Sequence, residues 1–266
     1  MAANPDPGSQ NNCMRNLTAL FLLLLASASA WAGAGARSIN VAPDVDVPIS
    51  IYGASQQQLI LWLPSERGVV DPEHEVAKQL AQLGYEVWIA DLFGARFLPA
   101  VPSSLNAIPA TDVVQLIQAA AQRHGKIYLL SSSEGATLAL EGAQLWQQDK
   151  SNRPVAGAIL LFPNLHAAIP DAGTAPTYRP IVAQSRLPIA ILQGNLSPWY
   201  WQLDALTAQL ERGGSRVTSN ILPGMRDRFY FREDALPRER AARNQLAAHI
   251  DDGIRNLPSI NLENTP

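Results

Sequence analysis

The stretch LLSSSEGATLAL, residues 129–140, places small polar side chains between an apolar segment and a helical pattern. Ser131-x-Ser133-x-Gly135 matches the pattern G-x-S-x-G, with serine at the first glycine position. In that pattern a sharp turn from strand to helix presents the central serine as a nucleophile, and small flanking residues let the backbone come close. The chemistry indicated is attack by the Ser133 hydroxyl on a carbonyl carbon. The simpler alternative is that Ser133 caps the helix.

The elements on either side of this turn predict an α/β fold. Short apolar segments predict strands at residues 47–53, 59–64, 85–91, 126–130, 155–162, 187–194 and 215–222. Helical patterns occupy residues 71–84, about 110–124, 135–148, 199–212 and 236–257. Continuously apolar strands that alternate with helices are typical of a parallel sheet covered on both faces. We therefore predict one α/β domain over residues 33–266, with an irregular lid at about 163–183.

Residues 1–32 predict an N-terminal extension and a secretory signal peptide. Arg15 precedes an apolar run from Leu17 to Ala26, and small residues lead to an A-x-A-like site that ends at Ala32. The run is short for a transmembrane helix. We expect cleavage after Ala32 and a periplasmic or secreted mature protein without a stable membrane span. An uncleaved anchor is the alternative, and either Met1 or Met14 is the translation start.

Composition excludes several classes of function. The net charge is −3 without a basic run, which argues against a nucleic-acid partner. The only cysteine, Cys13, would leave with the signal peptide, so no thiol nucleophile or cysteine metal site is expected. No histidine pair, carboxylate cluster or glycine-rich phosphate loop has the spacing of a metal or cofactor site. We predict neither a metal nor a cofactor.

The order of elements and the SSSEG turn resemble the α/β-hydrolase superfamily, in particular its dienelactone-hydrolase and small-esterase branch. LWLPSERG, residues 61–68, stands where that family has its oxyanion loop, and ADLFG, residues 90–94, matches the turn after the fourth strand. The resemblance implies Ser133 as nucleophile. It also implies an oxyanion hole made by the backbone N–H of Glu134 and that of Ser65 or Glu66.

The sequence departs from the family at both partners of the nucleophile. In QGNLSPWY the acid position carries Ser197, and in LPGMRDRFYF the histidine position carries Asp227. An ionised carboxylate is a weak base, and a serine does not orient an imidazole as a carboxylate does. The resemblance therefore predicts an elbow with a degenerate catalytic triad.

Two of the four histidines lie at the predicted edge of the active site. In an open parallel sheet this edge is formed by the carboxyl ends of the strands. His166, in FPNLHAAIP, follows a strand there and is the main candidate for a displaced base. His74 begins a helix at the same edge and is the second candidate. For both, a capping or surface role is the alternative.

Aromatic and arginine side chains cluster beside the two substituted positions. The candidate pocket residues are Arg226, Arg228, Trp199, Tyr200 and Phe229. They predict a site for an anionic or planar ligand, because guanidinium binds carboxylates and phosphates. Alternatively the aromatics pack helices on the sheet and the arginines pair with Glu66, Glu134 and Asp227.

Three functions remain open from the sequence. The first is an exported hydrolase-like protein that has lost ordinary catalysis and binds a small-molecule ligand or a periplasmic protein. The second is an active serine carboxylic-ester hydrolase that uses Ser133 with a displaced base. The third is a scaffold with a filled pocket and only an interaction surface.

Overall fold

The computed structural model describes Met1 and residues 35–169 and 174–258. The predicted signal peptide and its cleavage site lie outside the described residues, as do residues 170–173 of the predicted lid.

Eight strands of the described residues form one sheet. They are β1 (Gly35–Ala42), β2 (Val45–Tyr52), β3 (Gln58–Trp62), β4 (Glu86–Ala90), β5 (Lys126–Ser132), β6 (Gly157–Leu161), β7 (Pro188–Gly194) and β8 (Arg216–Leu222). Their order in the sheet is β1-β2-β4-β3-β5-β6-β7-β8. The six strands β4-β3-β5-β6-β7-β8 pair in parallel with their neighbours. Strand β2 pairs antiparallel with β1 on one side and with β4 on the other. This arrangement confirms the predicted mostly parallel sheet with helices.

Most helices of the described residues lie between strands along the chain, and the last two follow β8. They are α1 (Asp71–Gln82), α2 (Leu92–Ala95), α3 (Pro102–Leu105), α4 (Ala110–Ala121), α5 (Gly135–Gln148), α6 (Leu203–Gly213), α7 (Pro237–Arg243) and α8 (Leu246–Arg255). The predicted last helix is interrupted at Asn244, a residue of low helical propensity. The helix predicted at 199–212 begins later because Pro198–Gln202 forms a 3₁₀ turn, which the Ser197 hydroxyl caps by accepting the Trp199 N–H.

Apolar side chains cover both faces of the sheet. In β3, Leu59 and Leu61 belong to one buried cluster, whereas Ile60 and Trp62 belong to another. Because successive side chains of a strand point to opposite faces, the two clusters lie on opposite sides of the sheet. The sheet is thereby fixed from both sides, and the carboxyl ends of the adjacent strands β3 and β5 are held next to each other.

Candidate active site

Ser133 stands at a strained turn between β5 and α5. Its φ of 52° lies in the left-handed region, which non-glycine residues adopt only when neighbours enforce it. The Ser133 N–H donates to the Leu161 carbonyl at 3.0 Å, and the Ser133 carbonyl accepts the Asn164 N–H at 3.0 Å. The end of β6 and the loop after it therefore hold the strained turn in place.

Gly135 allows this turn to pack on the loop that follows β3. A Cβ at Gly135 would overlap the Pro64 carbonyl oxygen and the Ser131 hydroxyl. The small residues of the SSSEG motif are thus required by steric contact in this structure. They bring the Ser133 turn against the loop that the sequence identifies as the oxyanion loop.

A tight turn from Ser65 to Gly68 carries the Glu66 side chain over Ser133. The Gly68 N–H donates to the Ser65 carbonyl at 3.0 Å, and Gly68 has a positive φ of 71°. The buried Glu66 carboxylate accepts the Ser133 hydroxyl at 3.2 Å through Oε1 and the Glu134 N–H at 3.3 Å through Oε2. One carboxylate therefore contacts both the predicted nucleophile and the predicted oxyanion donor of Glu134.

Arg228 connects this carboxylate with Asp227 and Ser197, the two residues at the predicted triad positions. Its Nη1 donates to Glu66 Oε1 at 2.6 Å, and its Nε donates to Asp227 Oδ2 at 2.9 Å. The Ser197 hydroxyl donates to Asp227 Oδ1 at 3.3 Å. Burial raises the pKa of Asp227, while the neighbouring Arg228 charge opposes the shift. Ser197 and Asp227, which the sequence predicts to stand at the acid and histidine positions, are thus part of one network with Ser133, and the network contains the Arg228 guanidinium.

The Glu134 side chain points to the loop after β6. Its carboxylate lies 3.7 Å from Arg179 Nη2 and accepts the Asn164 side-chain amide at 3.5 Å. Burial raises the pKa of Glu134, the Glu66 charge adds to the shift, and the Arg179 and Arg228 charges oppose it. Glu134 therefore offers its backbone N–H to the Ser133 turn and its carboxylate to the lid side.

The Ser133 hydroxyl donates to Glu66, whereas the two candidate histidines bond to other residues. His166 is buried, its Nδ1 lies 3.2 Å from Asn164 Oδ1, and its ring stacks on Trp199 with centroids 4.7 Å apart. Burial lowers the pKa of His166, and the Gln202 side chain opposes this shift. His166 Nε2 makes no hydrogen bond of ordinary geometry among the described residues, although the Gln202 side chain is near enough to affect the pKa of the ring. His74 bonds to the Tyr52 hydroxyl at 2.7 Å. The displaced base remains a prediction.

The predicted pocket residues separate into different surroundings. Phe229 is fully buried and packs edge-to-face on Phe162 at 5.9 Å, so it is a core residue. Tyr200 is half-buried against the core beside α6. Arg226 pairs with Glu239 at 2.6 Å and Asp234 at 3.0 Å, and its bond to Glu239 lowers the pKa of that carboxyl to about 2. Of the two arginines in the predicted pocket, Arg228 is the one bound to the Ser133 network.

An open cavity of about 430 Å³ adjoins Arg228. Its lining residues are Arg67, Asp227, Arg228, Phe231, Arg232, Glu233 and Asp234. The guanidinium carbons of Arg67 and Arg228 lie 6.0 Å and 5.9 Å from the centre of the Phe231 ring. Arg67 and Phe231 are not among the five predicted pocket residues, although both stand inside segments that the sequence places at the mouth of the site.

The described residues contain no cluster of three or more His, Cys, Asp or Glu side chains suited to a metal ion. Within the same part of the chain, no helix is long and apolar enough to cross a membrane.

Comparison with solved structures assigns the architecture. Neither a family model nor a curated protein matches this sequence. The chain is similar to a putative dienelactone hydrolase from Klebsiella pneumoniae, with a TM-score of 0.62, 14% identity and coverage of 84% of this chain and 98% of that one. It is also similar to an esterase from Pyrobaculum calidifontis, with a TM-score of 0.61, 16% identity and coverage of 90% and 91%. A thermostable carboxylesterase cloned from a metagenomic library gives a TM-score of 0.61, 15% identity and coverage of 94% and 99%.

Proposed function

Since this chain has the α/β-hydrolase fold, we propose that it is an exported, hydrolase-like protein that binds a small-molecule ligand at the Ser133 site instead of hydrolysing esters by Ser-His-Asp chemistry. The observation that carries the proposal is the position of one side chain. The Glu66 carboxylate accepts both the Ser133 hydroxyl and the Glu134 N–H.

Ester hydrolysis requires that the Ser133 hydroxyl and the Glu134 N–H bind other groups than Glu66. The serine must give its proton to a base, and the oxyanion-hole N–H must meet the oxygen of the substrate carbonyl as charge develops there. While Glu66 holds both groups, a substrate carbonyl has no place between them. Arg228 stabilises Glu66 in this position through a charge-assisted hydrogen bond of 2.6 Å.

The substituted triad positions support the same proposal. Asp227 and Ser197 bond to each other, and Asp227 also accepts the Arg228 Nε–H. Their contacts orient a guanidinium that remains charged, and a guanidinium does not accept a proton from serine. Export is the part of the proposal that rests on the predicted signal peptide at residues 1–32.

Fluorophosphonate labelling and p-nitrophenyl ester hydrolysis by the wild-type protein and Ser133→Ala test this function. We expect no labelling and no hydrolysis that depends on Ser133. Circular dichroism shows that both proteins are folded. Labelling of the wild type that disappears in Ser133→Ala would overturn the proposal.

A serine ester hydrolase is the second candidate, and the position of His166 favours it. The Asn164 N–H joins the His166 loop directly to the Ser133 carbonyl, and His166 Nε2 is buried and makes no hydrogen bond of ordinary geometry among the described residues. The similar solved structures include esterases. In this candidate Glu66 must first leave Ser133. Labelling that is lost in His166→Ala but kept in His74→Ala would identify this function.

A further inference from the structure

We propose that the ligand of this site is an organic monocarboxylate, and that the Glu66 side chain is a built-in competitor whose carboxylate the ligand replaces. The inference rests on the proposed function and names the ligand class of that site. The ligand carboxylate would take the three donors that Glu66 occupies: the Ser133 hydroxyl, the Glu134 N–H and the Arg228 guanidinium.

These three donors already form a carboxylate site. Oxygen Oε1 of Glu66 accepts from Ser133 at 3.2 Å and from Arg228 at 2.6 Å, while Oε2 accepts from the Glu134 N–H at 3.3 Å. Glu134 is the N-cap of the 14-residue helix α5, whose N-terminus favours negative charge. A hydroxyl, a helix N-terminus and a guanidinium thus converge on one buried carboxylate.

The donors are held independently of Glu66. The Ser133 turn is fixed by its backbone bonds to Leu161 and Asn164. Arg228 keeps a second partner, because its Nε bonds to Asp227, which in turn accepts the Ser197 hydroxyl. Removal of the Glu66 carboxylate therefore leaves three oriented donors without an acceptor, which is a preorganised site.

Glu66 is also placed so that it can leave. It belongs to the short Ser65–Gly68 turn, in which Ser65, Glu66 and Gly68 are buried and the next residue, Arg67, is exposed. The open cavity of about 430 Å³ reaches Arg228 and the Phe231 ring, so it offers room for the body of a ligand whose carboxylate lies on Arg228. An aromatic or otherwise flat apolar body would lie against Phe231, which contacts the guanidinium groups of Arg67 and Arg228.

The surrounding charges favour a monoanion over a phosphate dianion. Two further carboxylates, Asp227 and Glu134, lie close to the Glu66 position: burial is the main cause that raises the pKa of each, and the negative charge of Glu66 adds to it. A doubly charged ligand would add to this repulsion, whereas a single carboxylate reproduces the charge that Glu66 already supplies. The planar pair of oxygens also matches the three donors as Glu66 does.

The test removes the Glu66 carboxylate by substitution and supplies free carboxylates in solution. Thermal unfolding of the full protein is measured for wild type, Glu66→Ala and Glu66→Gln against acetate, benzoate, acetamide and inorganic phosphate at constant ionic strength. The Glu66→Gln variant keeps the shape of the side chain in case Glu66→Ala does not fold. The matched control is Glu75→Ala, which removes an exposed carboxylate paired with Lys78.

We expect acetate and benzoate to stabilise Glu66→Ala in a saturable way, with benzoate the tighter ligand. At a concentration of 100 times Kd, the folding equilibrium constant should rise about 100-fold. Glu66→Gln should respond in the same direction. Wild type should bind at least tenfold more weakly because Glu66 competes, and Glu75→Ala should behave as wild type. Acetamide should have no effect, and the further change Arg228→Met in Glu66→Ala should abolish the response.

Two results would overturn the inference. One is folded Glu66 variants that no carboxylate stabilises. The other is a phosphate response as large as the carboxylate response, which would indicate a general anion site. Both are independent of the labelling of Ser133, so failure of the ligand class is distinguishable from failure of the proposed function.

Discussion

Arg228 and Glu66 form a 2.6 Å ion pair although 162 positions separate them in the sequence. The Glu66 side chain is 8% exposed and the Arg228 side chain 27%, so the pair is largely removed from water. The pair joins the loop after β3 to the loop after β8. It thereby fixes the network that contains the Ser133 hydroxyl.

Removal of Arg228 should destabilise the protein by leaving Glu66 charged and without its cation. We expect Arg228→Met to lower the free energy of unfolding by about 2 to 3 kcal/mol, less than for a fully buried pair because the arginine is partly exposed. The double variant Arg228→Met/Glu66→Gln should regain at least half of this loss, because the uncompensated charge is gone. Urea unfolding of the variants measures both values. An equal loss in the single and double variants would contradict the role assigned to the charge.

A glycine at position 133 should relieve the backbone strain of the turn. At a φ of 52° a residue with a Cβ is strained, whereas glycine is not. We expect Ser133→Gly to be more stable than Ser133→Ala by about 1 kcal/mol, since both variants lose the hydroxyl and only one keeps the strain. Ser132 is the matched control, because it is the last residue of β5 and has no positive φ. There the order should be reversed, with Ser132→Gly less stable than Ser132→Ala.

Substitution of Gly135 tests the close contact between the Ser133 turn and the loop after β3. We expect Gly135→Ala to cost about 1 to 3 kcal/mol or to prevent folding, because the added Cβ meets the backbone oxygen of Pro64. The control is Gly35→Ala, whose Cβ would lie at an ordinary 3.8 Å from Ile51. Thermal unfolding compares the two variants. Equal stability of both would mean that the contact at Gly135 relaxes without cost.

Glu73 should make stability depend on pH. This carboxyl lies buried in the first turn of α1, and burial raises its pKa to about 8, while its bond from the Val70 N–H opposes the shift. The unfolded chain loses this proton near pH 4.5 and the folded chain near pH 8. The contribution is therefore complete below pH 4.5 and is lost as the pH rises towards 8, with a slope of at most about 1.4 kcal/mol per pH unit.

Glu73→Gln should remove this slope. Compared with the wild type, the variant should gain in relative stability from pH 5 to pH 8, as measured by urea unfolding at both values. Glu75→Gln, an exposed neighbour in the same helix, is the control and should follow the wild type. If Glu73→Gln and the wild type lose stability in parallel over this range, the buried carboxyl is not the cause.

Local sequence patterns predicted the fold and the Ser133 turn because both depend on short-range features. Apolar strands alternate with helices, and the residues around Ser133 must be small. The strand β1 was missed because GARSINVA begins with small residues, and its large apolar side chains are limited to Ile39 and Val41 near its end.

The role of the Glu66 side chain was not predictable in the same way. Sequence reasoning placed Glu66 at the oxyanion loop as a backbone donor and as a counter-charge, but not as the hydrogen-bond partner of Ser133. That contact depends on the tight turn that ends at Gly68 and on Arg228, which is distant in the chain. Such contacts between loops of different strands have no periodic signature in the sequence.

Restoration of the triad residues alone should not restore an active serine. Asp227 and Ser197 are in contact, so Ser197→Asp/Asp227→His places an acid beside a histidine. While Glu66 bonds to Ser133 and the Glu134 N–H, however, a fluorophosphonate has no free oxyanion site. We expect the double variant to remain unlabelled. Addition of Glu66→Ala should raise the Ser133-dependent labelling rate by about 100-fold or more, the usual contribution of one oxyanion-hole donor, because it frees the Glu134 N–H. If the double variant reacts as fast as the triple variant, Glu66 does not obstruct the site.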